Sequence, residues 1–156
     1  MPDHQKFMGQ ALLLAEKSVR SGGGPFGEVI VKTGAIIGSG TNRVTLDMDP
    51  TAHAEMLAIR AACQALGDFQ LAGCTIYVNC EPCPMCLAAL YWAGIQEIYF
   101  AAHRSDAGNI GFADDFIYHE FAKEPKERQI AMHQLMRAEA LDLLQLWDAL
   151  EEKIPY

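Results

Sequence analysis

The stretch CTIYVNCEPCPMCLAALYWAG, residues 74–94, passes from a strand-like segment into a helix-like one through a turn that holds two prolines. Its first seven residues are mostly β-branched, aromatic or apolar and predict a buried strand. Pro84 begins the predicted helix, and Gly94 ends it. EIYFAA, residues 97–102, predicts the next strand. A strand, a helix and a second strand in succession indicate a layered α/β fold with a partly parallel sheet.

The elements before this unit are predicted from turn residues and helical periodicity. Apolar residues at helical spacing over residues 8–19 predict a first helix, which SGGGPFG ends. EVIVK and AIIGSG, separated by TG, predict an antiparallel hairpin. DPTAHAEMLAIRAACQAL predicts a second strong helix, with Asp49 as its N-cap, Pro50 at its first position and Gly67 as its stop.

The C-terminal third of the chain gives weaker patterns. DAGNIGFADDFIYHEFA, residues 106–122, is interpreted as a loop followed by a short helix. RQIAMHQL, residues 128–135, is interpreted as a strand, which brings the expected sheet to about five strands. AEALDLLQLWDALEEK, residues 138–153, predicts an amphipathic helix.

The composition indicates a single globular domain over residues 1–156. Apolar residues make up 51% of the chain and charged residues 21%, which is ordinary for a globular protein. No apolar run has the roughly 20 residues that a membrane span needs, and the N-terminus carries no recognisable targeting pattern, so we expect a cytoplasmic protein. The net charge of −8 argues against nucleic acid and favours a small-molecule partner.

The cysteine cluster CEPCPMC, residues 80–86, allows several interpretations. Five cysteines are an odd count in a chain that needs no disulfides, so a metal site or a catalytic site is favoured over a disulfide. Cys83 and Cys86 have the C-x-x-C spacing of both a metal site and a thioredoxin-like redox pair. They could also be two buried thiols in an apolar turn. Cys80 is predicted to end the strand and to point into the core.

His53 and Glu55 favour the metal site over the other interpretations. His53 lies 30 residues before Cys83, in the first turn of the other strong helix. One nitrogen and two sulfur ligands leave a zinc ion one open tetrahedral position, which is the arrangement of a catalytic site. Glu55, in the same turn, is placed to take a proton from a zinc-bound water and deliver it to a leaving group.

The predicted helix starts add a physical reason for this site. Cys83 is expected at the N-cap and Cys86 near the third helical position, where free backbone N–H groups and the positive end of the helix dipole favour thiolates. His53 begins its own helix in a similar way. Two helix N-termini that face one another would therefore hold the ligands of one cation.

HAE, residues 53–55, followed by PCPMC, residues 82–86, resembles the H-x-E…P-C-x-x-C signature of the zinc-dependent cytidine-deaminase-like superfamily. The resemblance covers the core from GGPFG to EIYFAA. It implies a three-layer α/β/α fold, in which a central mixed sheet of about five strands is flanked by helices. It also implies one Zn²⁺ per subunit, held by His53, Cys83 and Cys86, with a bound water or hydroxide as the fourth ligand and Glu55 as the proton shuttle.

Within that superfamily the chain is similar over its whole length to the bacterial guanine deaminases, through GGPFGEVIVK, DPTAHAEMLAIR, CEPCPMCLAALYWA and GFADDFIY. The resemblance implies deamination of guanine to xanthine and ammonia, with Asp114 as a second proton shuttle; the adjacent Asp115 is the alternative. It also implies a homodimer in which the C-terminal segment, about residues 130–156, is exchanged between subunits. The residues that it assigns to the substrate pocket are Phe26, Asn42, Ala54, Trp92 and Tyr156.

Other functions remain open from the sequence. A tRNA adenosine deaminase or a cytosine or cytidine deaminase would share the same zinc core, although the acidic net charge disfavours a tRNA substrate. A non-enzymatic zinc-binding module is a further alternative, but Glu55 beside an intact ligand set would have no function in it. Amino-triazines are further candidate substrates, because they resemble the six-membered ring of guanine.

Overall fold

The structure is a computed structural model that describes residues 3–155. The chain divides into two compact units, the first ending at Asp114 and the second beginning at Asp115. In the part of the chain described, no helix is both long enough and apolar enough to cross a membrane.

The first unit is built on a four-stranded mixed sheet with the strand order β2-β1-β3-β4. Its strands are β1 (Gly27–Lys32), β2 (Ala35–Thr41), β3 (Cys74–Cys80) and β4 (Glu97–Ala102). β1 pairs antiparallel with both β2 and β3, whereas β3 and β4 are parallel. The predicted hairpin is confirmed: its turn consists of Thr33 and Gly34, which both have positive φ, as a tight two-residue connection requires.

Helices cover both faces of the sheet. The helices of the first unit are α1 (His4–Arg20), α2 (Val44–Asp47), α3 (Ala54–Leu66), α4 (Pro84–Trp92) and α5 (Arg104–Gly108). On one face, Phe7 and Ala11 of α1 pack against Val29, Val31 and Tyr77. On the other face, residues of α3 and α4 enclose Ile30, Ile76 and Val78. The three-layer α/β/α arrangement is therefore confirmed.

The predicted fifth strand is wrong. Within the described residues, segment 128–135 has no regular secondary structure, and the sheet has four strands. RQIAMHQL contains only a short apolar run, and periodicity alone does not determine the secondary structure of so short a run.

The predicted start of the α3 helix is also wrong. Asp49 does not cap this helix; its side chain accepts hydrogen bonds from the backbone N–H and the hydroxyl of Thr51, at 2.8 and 2.7 Å, and closes a local turn. The helix begins at Ala54, with His53 as the N-cap. Its predicted end is confirmed, because Gly67 takes the left-handed C-cap conformation with φ 64°.

The second unit consists of α6 (Asp115–Ala122), a 3₁₀ turn (Pro125–Glu127) and α7 (Arg137–Asp148). The two α-helices are those predicted from the sequence. The buried hydrophobic residues of the described chain all belong to the first unit, whereas α7 exposes Leu143, Leu144 and Leu146.

Candidate metal centre and active site

The turn between β3 and α4 places two cysteines at the start of a helix. β3 ends at Cys80, and Pro84 occupies the first turn of α4 with Cys83 as its N-cap. Cys86 follows at the third helical position, and its backbone N–H points to the Sγ of Cys83 at 3.5 Å. A proline at this position costs no hydrogen bond, because the first N–H groups of a helix lack partners within it.

His53 is held at a second helix start by the close packing of α3 on β2. A Cβ atom added to Gly40 of β2 would lie 2.0 Å from the carbonyl oxygen of Ala54, so the first turn of α3 rests directly on this glycine. The N-cap of that turn is His53, in an extended conformation. Because Gly40 has no side chain, α3 can pack this closely on β2, and this packing sets the distance of His53 from the sheet.

The three side chains converge on one point. The Nδ1 atom of His53 lies 3.6 Å from the Sγ of Cys83 and 3.5 Å from the Sγ of Cys86. A tetrahedral zinc ion, with Zn–S and Zn–N bonds of about 2.3 and 2.05 Å, separates nitrogen and sulfur by about 3.6 Å. The donor types and both distances fit zinc. Among residues 3–155, these three form the one group of His, Cys, Asp or Glu side chains with this potential to bind a metal.

The electrostatics of the cluster favour one thiolate. The hydrogen bond from Cys86 and the contact with His53 lower the pKa of the Cys83 thiol to about 4, against the opposing effect of burial. The pKa of Cys86 is raised, first by its hydrogen bond to Cys83 and then by burial. The pKa of His53 is raised by its interaction with Cys83. The lowered pKa of Cys83 makes its thiolate available at neutral pH, and the thiolate is the form of cysteine that binds a metal ion.

Glu55 lies beside the ligands and is almost completely buried, with an exposed fraction of 6%. Burial raises the pKa of its carboxyl group, and the nearby Cys83 thiolate adds to this effect. A carboxyl group with a raised pKa next to a metal site is suited to proton transfer near neutral pH.

Asp114 lies near the ligand cluster, whereas Phe26 and Asn42 lie in two loops that are joined by a hydrogen bond from the N–H of Asn42 to the carbonyl of Phe26, at 3.1 Å. The charge of Asp114 acts on His53 and on Cys80, so Asp114 is close to the ligand cluster. The ring of Phe26 meets Phe112 edge to face, with centroids 4.9 Å apart. Asn42 is buried, and its Oδ1 accepts a hydrogen bond from the N–H of Val44 at 3.3 Å.

The remaining predicted pocket residues have different positions. Ala54 is fully buried directly after His53, whereas Trp92 is 67% exposed at the last residue of α4. A nine-residue helix is about 13 Å long, so the structure does not bring Trp92 to the cluster, which lies at the first residues of α4. Tyr156 lies outside the described residues. Cys80 is buried at the end of β3, as predicted, and burial raises its pKa to about 11.

Sequence reasoning missed two residues near the site. The Asn79 side chain accepts a hydrogen bond from the N–H of Gly27 and donates one to the carbonyl of Pro25, both at 2.9 Å, and so fixes the loop that carries Phe26. Glu28 is 1% exposed in β1, and the charges of Glu55 and Cys83 act on it. In the sequence, the one sign of a special role for Glu28 is that an acidic residue stands directly before the apolar run VIV of a predicted strand.

The comparisons with known proteins agree with this geometry. The family described as "Cytidine and deoxycytidylate deaminase zinc-binding region" matches residues 1–102. The chain is 49% identical over 155 residues to the guanine deaminase of Bacillus subtilis (strain 168), covering 99% of both chains. The X-ray structure of guanine deaminase from Bacillus subtilis superposes with a TM-score of 0.95 at the same identity and the same coverage.

Two further relatives show the breadth of the family. A protein solved in complex with 2,6-diaminopurine is 29% identical, with a TM-score of 0.70; the match covers 100% of this chain and 87% of that one. The tRNA-specific adenosine deaminase of Aquifex aeolicus (strain VF5) is 43% identical over 104 residues, which are 67% of this chain and 69% of the relative. The family match, the full-length similarity and the His/Cys/Cys cluster together show that the chain belongs to the zinc-binding cytidine and deoxycytidylate deaminase family.

Proposed function

We propose that the protein is a zinc-dependent hydrolase that converts guanine and water to xanthine and ammonia. The observation that carries this proposal is the full-length similarity to a guanine deaminase, at 49% identity. The buried Glu55 beside the His53, Cys83 and Cys86 ligand set supports it, because this set leaves a coordination position open for chemistry.

The chain's own residues account for the proton transfers. One zinc ion per subunit, with a water or hydroxide as its fourth ligand, would supply a nucleophile at neutral pH by lowering the pKa of that water. Glu55 accepts the proton that the nucleophile loses and passes it to a ring nitrogen of guanine. The second proton of the water, which remains on the oxygen now bonded to the ring carbon, then moves through Glu55 or Asp114 to the amino group; the carbon–nitrogen bond breaks and ammonia leaves. The charge of Asp114 at the ligand cluster is consistent with this role, which we assign to Asp114 rather than to Asp115.

The substrate pocket is proposed from the resemblance and from the position of each residue. Phe26 supplies an aromatic face next to Phe112, and the buried Asn42 supplies an amide at the end of β2. Ala54 contributes the first turn of α3. Trp92 and Tyr156 are proposed on the resemblance alone. The purine analogue bound by the relative solved with 2,6-diaminopurine supports a purine ligand.

We also propose that the active protein is a homodimer in which a segment of about residues 130–156 is exchanged between subunits. The exposed leucines of α7 support this proposal, as do Tyr91 and Trp92, which are 78% and 67% exposed at the end of α4. Large apolar side chains exposed together are typical of a protein–protein interface. The five free cysteines suit a reducing compartment, so we place this purine salvage or catabolic activity in the cytoplasm.

A panel of free bases and nucleosides, assayed for ammonia release, tests the proposed reaction. We expect release from guanine, loss of release after zinc chelation and its return when zinc is added back. Ammeline, an amino-triazine, tests the wider substrate class, and a tRNA anticodon stem-loop tests the alternative tRNA activity. Deamination of the stem-loop, but not of guanine, would overturn the proposal.

A further inference from the structure

Glu28 is a buried carboxyl group that the proposed reaction does not use. Its exposed fraction is 1%, and its Oε2 atom is buried with no hydrogen-bond partner in the described part of the chain. A buried polar group without a partner costs free energy. A carboxyl group kept at this position therefore needs a reason other than folding.

The sheet register places Glu28 under the first turn of α3. Glu28 pairs with Gly40 on β2 and with Val78 on β3. Residues directly opposite one another in a sheet share a face. A Cβ atom on Gly40 would point at the backbone of Ala54, and Val78 is in the core on that same side. Glu28 thus rises from the sheet toward the turn that carries Glu55.

The electrostatic environment of Glu28 is consistent with this position. Burial raises the pKa of Glu28 well above its ordinary value, and the charges of Glu55 and then Cys83 add to the effect. These two residues are the proposed proton shuttle and a proposed metal ligand. A neutral carboxylic acid here has an O–H group that can donate to an anionic neighbour.

We propose that Glu28 is a positioning residue for Glu55: through one internal water, it donates a hydrogen bond that keeps the Glu55 carboxyl group turned toward the metal ligands. This inference rests on the proposed deamination, in which Glu55 transfers the proton. Glu28 touches neither the substrate nor the metal ion. Its effect should therefore appear in kcat and not in KM or metal content.

Three variants separate this role from a purely structural one. Glu28→Met keeps about the same volume and removes the polar group, so we expect a Tm about 2–6 °C higher together with a kcat about 10–100-fold lower. Glu28→Gln keeps a hydrogen-bond donor and should retain most of the wild-type kcat. Ile30→Met, two residues along the same face of β1, is the matched control and should have a wild-type kcat.

The experiment measures kcat, KM, zinc per chain and Tm for the purified variants, after guanine deamination by the wild type has been established. A wild-type kcat in Glu28→Met, a raised KM at unchanged kcat, a loss of zinc or a lowered Tm would each overturn the role of Glu28. If Glu28→Met does not fold, Glu28→Ala replaces it, and equal kcat values in Glu28→Ala and Glu28→Gln overturn the role. A wild type that leaves guanine unchanged overturns the proposed function instead, so the two failures are distinguishable.

Discussion

Substitution of Gly40 by alanine is expected to disturb the metal centre without changing any of its ligands. Gly40 lies on β2 beneath the first turn of α3, and its φ is not positive, so an alanine is compatible with its backbone conformation. The expected effect therefore comes from space alone. The added Cβ would lie 2.0 Å from the carbonyl oxygen of Ala54 and 2.8 Å from the backbone nitrogen of Ala58.

The size of the effect follows from these distances. An ordinary carbon–oxygen contact is near 3.4 Å, so α3 and β2 must separate by about 1.4 Å at this point. Overpacking of this kind costs about 1–3 kcal/mol of the free energy of unfolding. Because His53 is the N-cap of α3 and Glu55 lies in its first turn, both move with the helix. A misplacement of about 1 Å in a catalytic site lowers the rate by about 100-fold.

Gly38 provides the matched control for Gly40. It lies on the same face of β2, two residues along, and a Cβ there would meet Ala58 and Ala62 at 2.5–2.8 Å. Gly38→Ala should therefore destabilise the protein by a similar amount but act on later turns of α3, away from His53. Gly9→Ala, in α1 with nothing within 4 Å of the added Cβ, should stabilise by about 1 kcal/mol.

The assay combines urea unfolding with zinc content and ammonia release from guanine. We expect Gly40→Ala and Gly38→Ala to lose similar stability, while Gly40→Ala alone loses most of its kcat/KM or its zinc. Wild-type stability and activity in Gly40→Ala would refute this prediction, since the first turn of α3 would then not depend on this contact. Equal losses of activity in both variants would show that α3 moves as a rigid body, and that Gly40 has no local role.

Three further predictions concern protons. Glu55→Gln should keep its zinc, measured by elemental analysis, and lose about 10²–10⁴-fold in ammonia release; near-normal turnover would contradict the shuttle role. Because the pKa of Cys86 is raised while that of Cys83 is about 4, zinc uptake should release protons, so zinc affinity falls from pH 8 to pH 6. Titration calorimetry in two buffers with different ionisation enthalpies checks this, and equal heats would refute it. The pKa of Glu28 is raised in the folded state, so the free energy of unfolding of the wild type should decrease relative to that of Glu28→Met as the pH rises above 4.5. The decrease is at most about 1.4 kcal/mol per pH unit, and it ends when the pH passes the folded-state pKa. Urea unfolding at pH 5, 6 and 7 measures the difference, which stays constant if Glu28 is ionised throughout.

The features predicted correctly from the sequence are those that neighbouring residues determine. The turn Thr33-Gly34 needs positive φ at both positions, and the structure has them. Pro84 after Cys83 begins α4, because a proline is tolerated at the first position of a helix and disfavoured further inside it. The strand pattern of residues 74–80 is continuous and buried, as β-branched and aromatic residues favour. Each of these predictions rests on a steric rule that applies within a few residues.

The features that the sequence did not predict depend on residues far apart along the chain. Segment 128–135 has strand-like composition, but pairing with another strand is a tertiary event that no local pattern contains. Gly40 supports His53 because β2 and α3 pack closely, and Gly40 alone gives no sign of the contact. Glu28 was interpreted as part of a hairpin strand; only the register with Gly40 and Val78 places it near Glu55.

The start of α3, which is predicted wrongly from the sequence, shows how a helix boundary determines the metal-binding geometry. A helix that began at Pro50 would give His53 helical φ and ψ and would direct its ring along the helix surface. Because Asp49 instead closes a turn with Thr51, His53 becomes an N-cap with φ −69° and ψ 155°, close to the φ −67° and ψ 166° of Cys83. The two residues have the same backbone conformation at two helix starts, and their side chains leave the helix ends and meet at 3.6 Å. The metal-binding geometry therefore requires both helices to begin one residue after a ligand, which makes these two boundaries part of the active site.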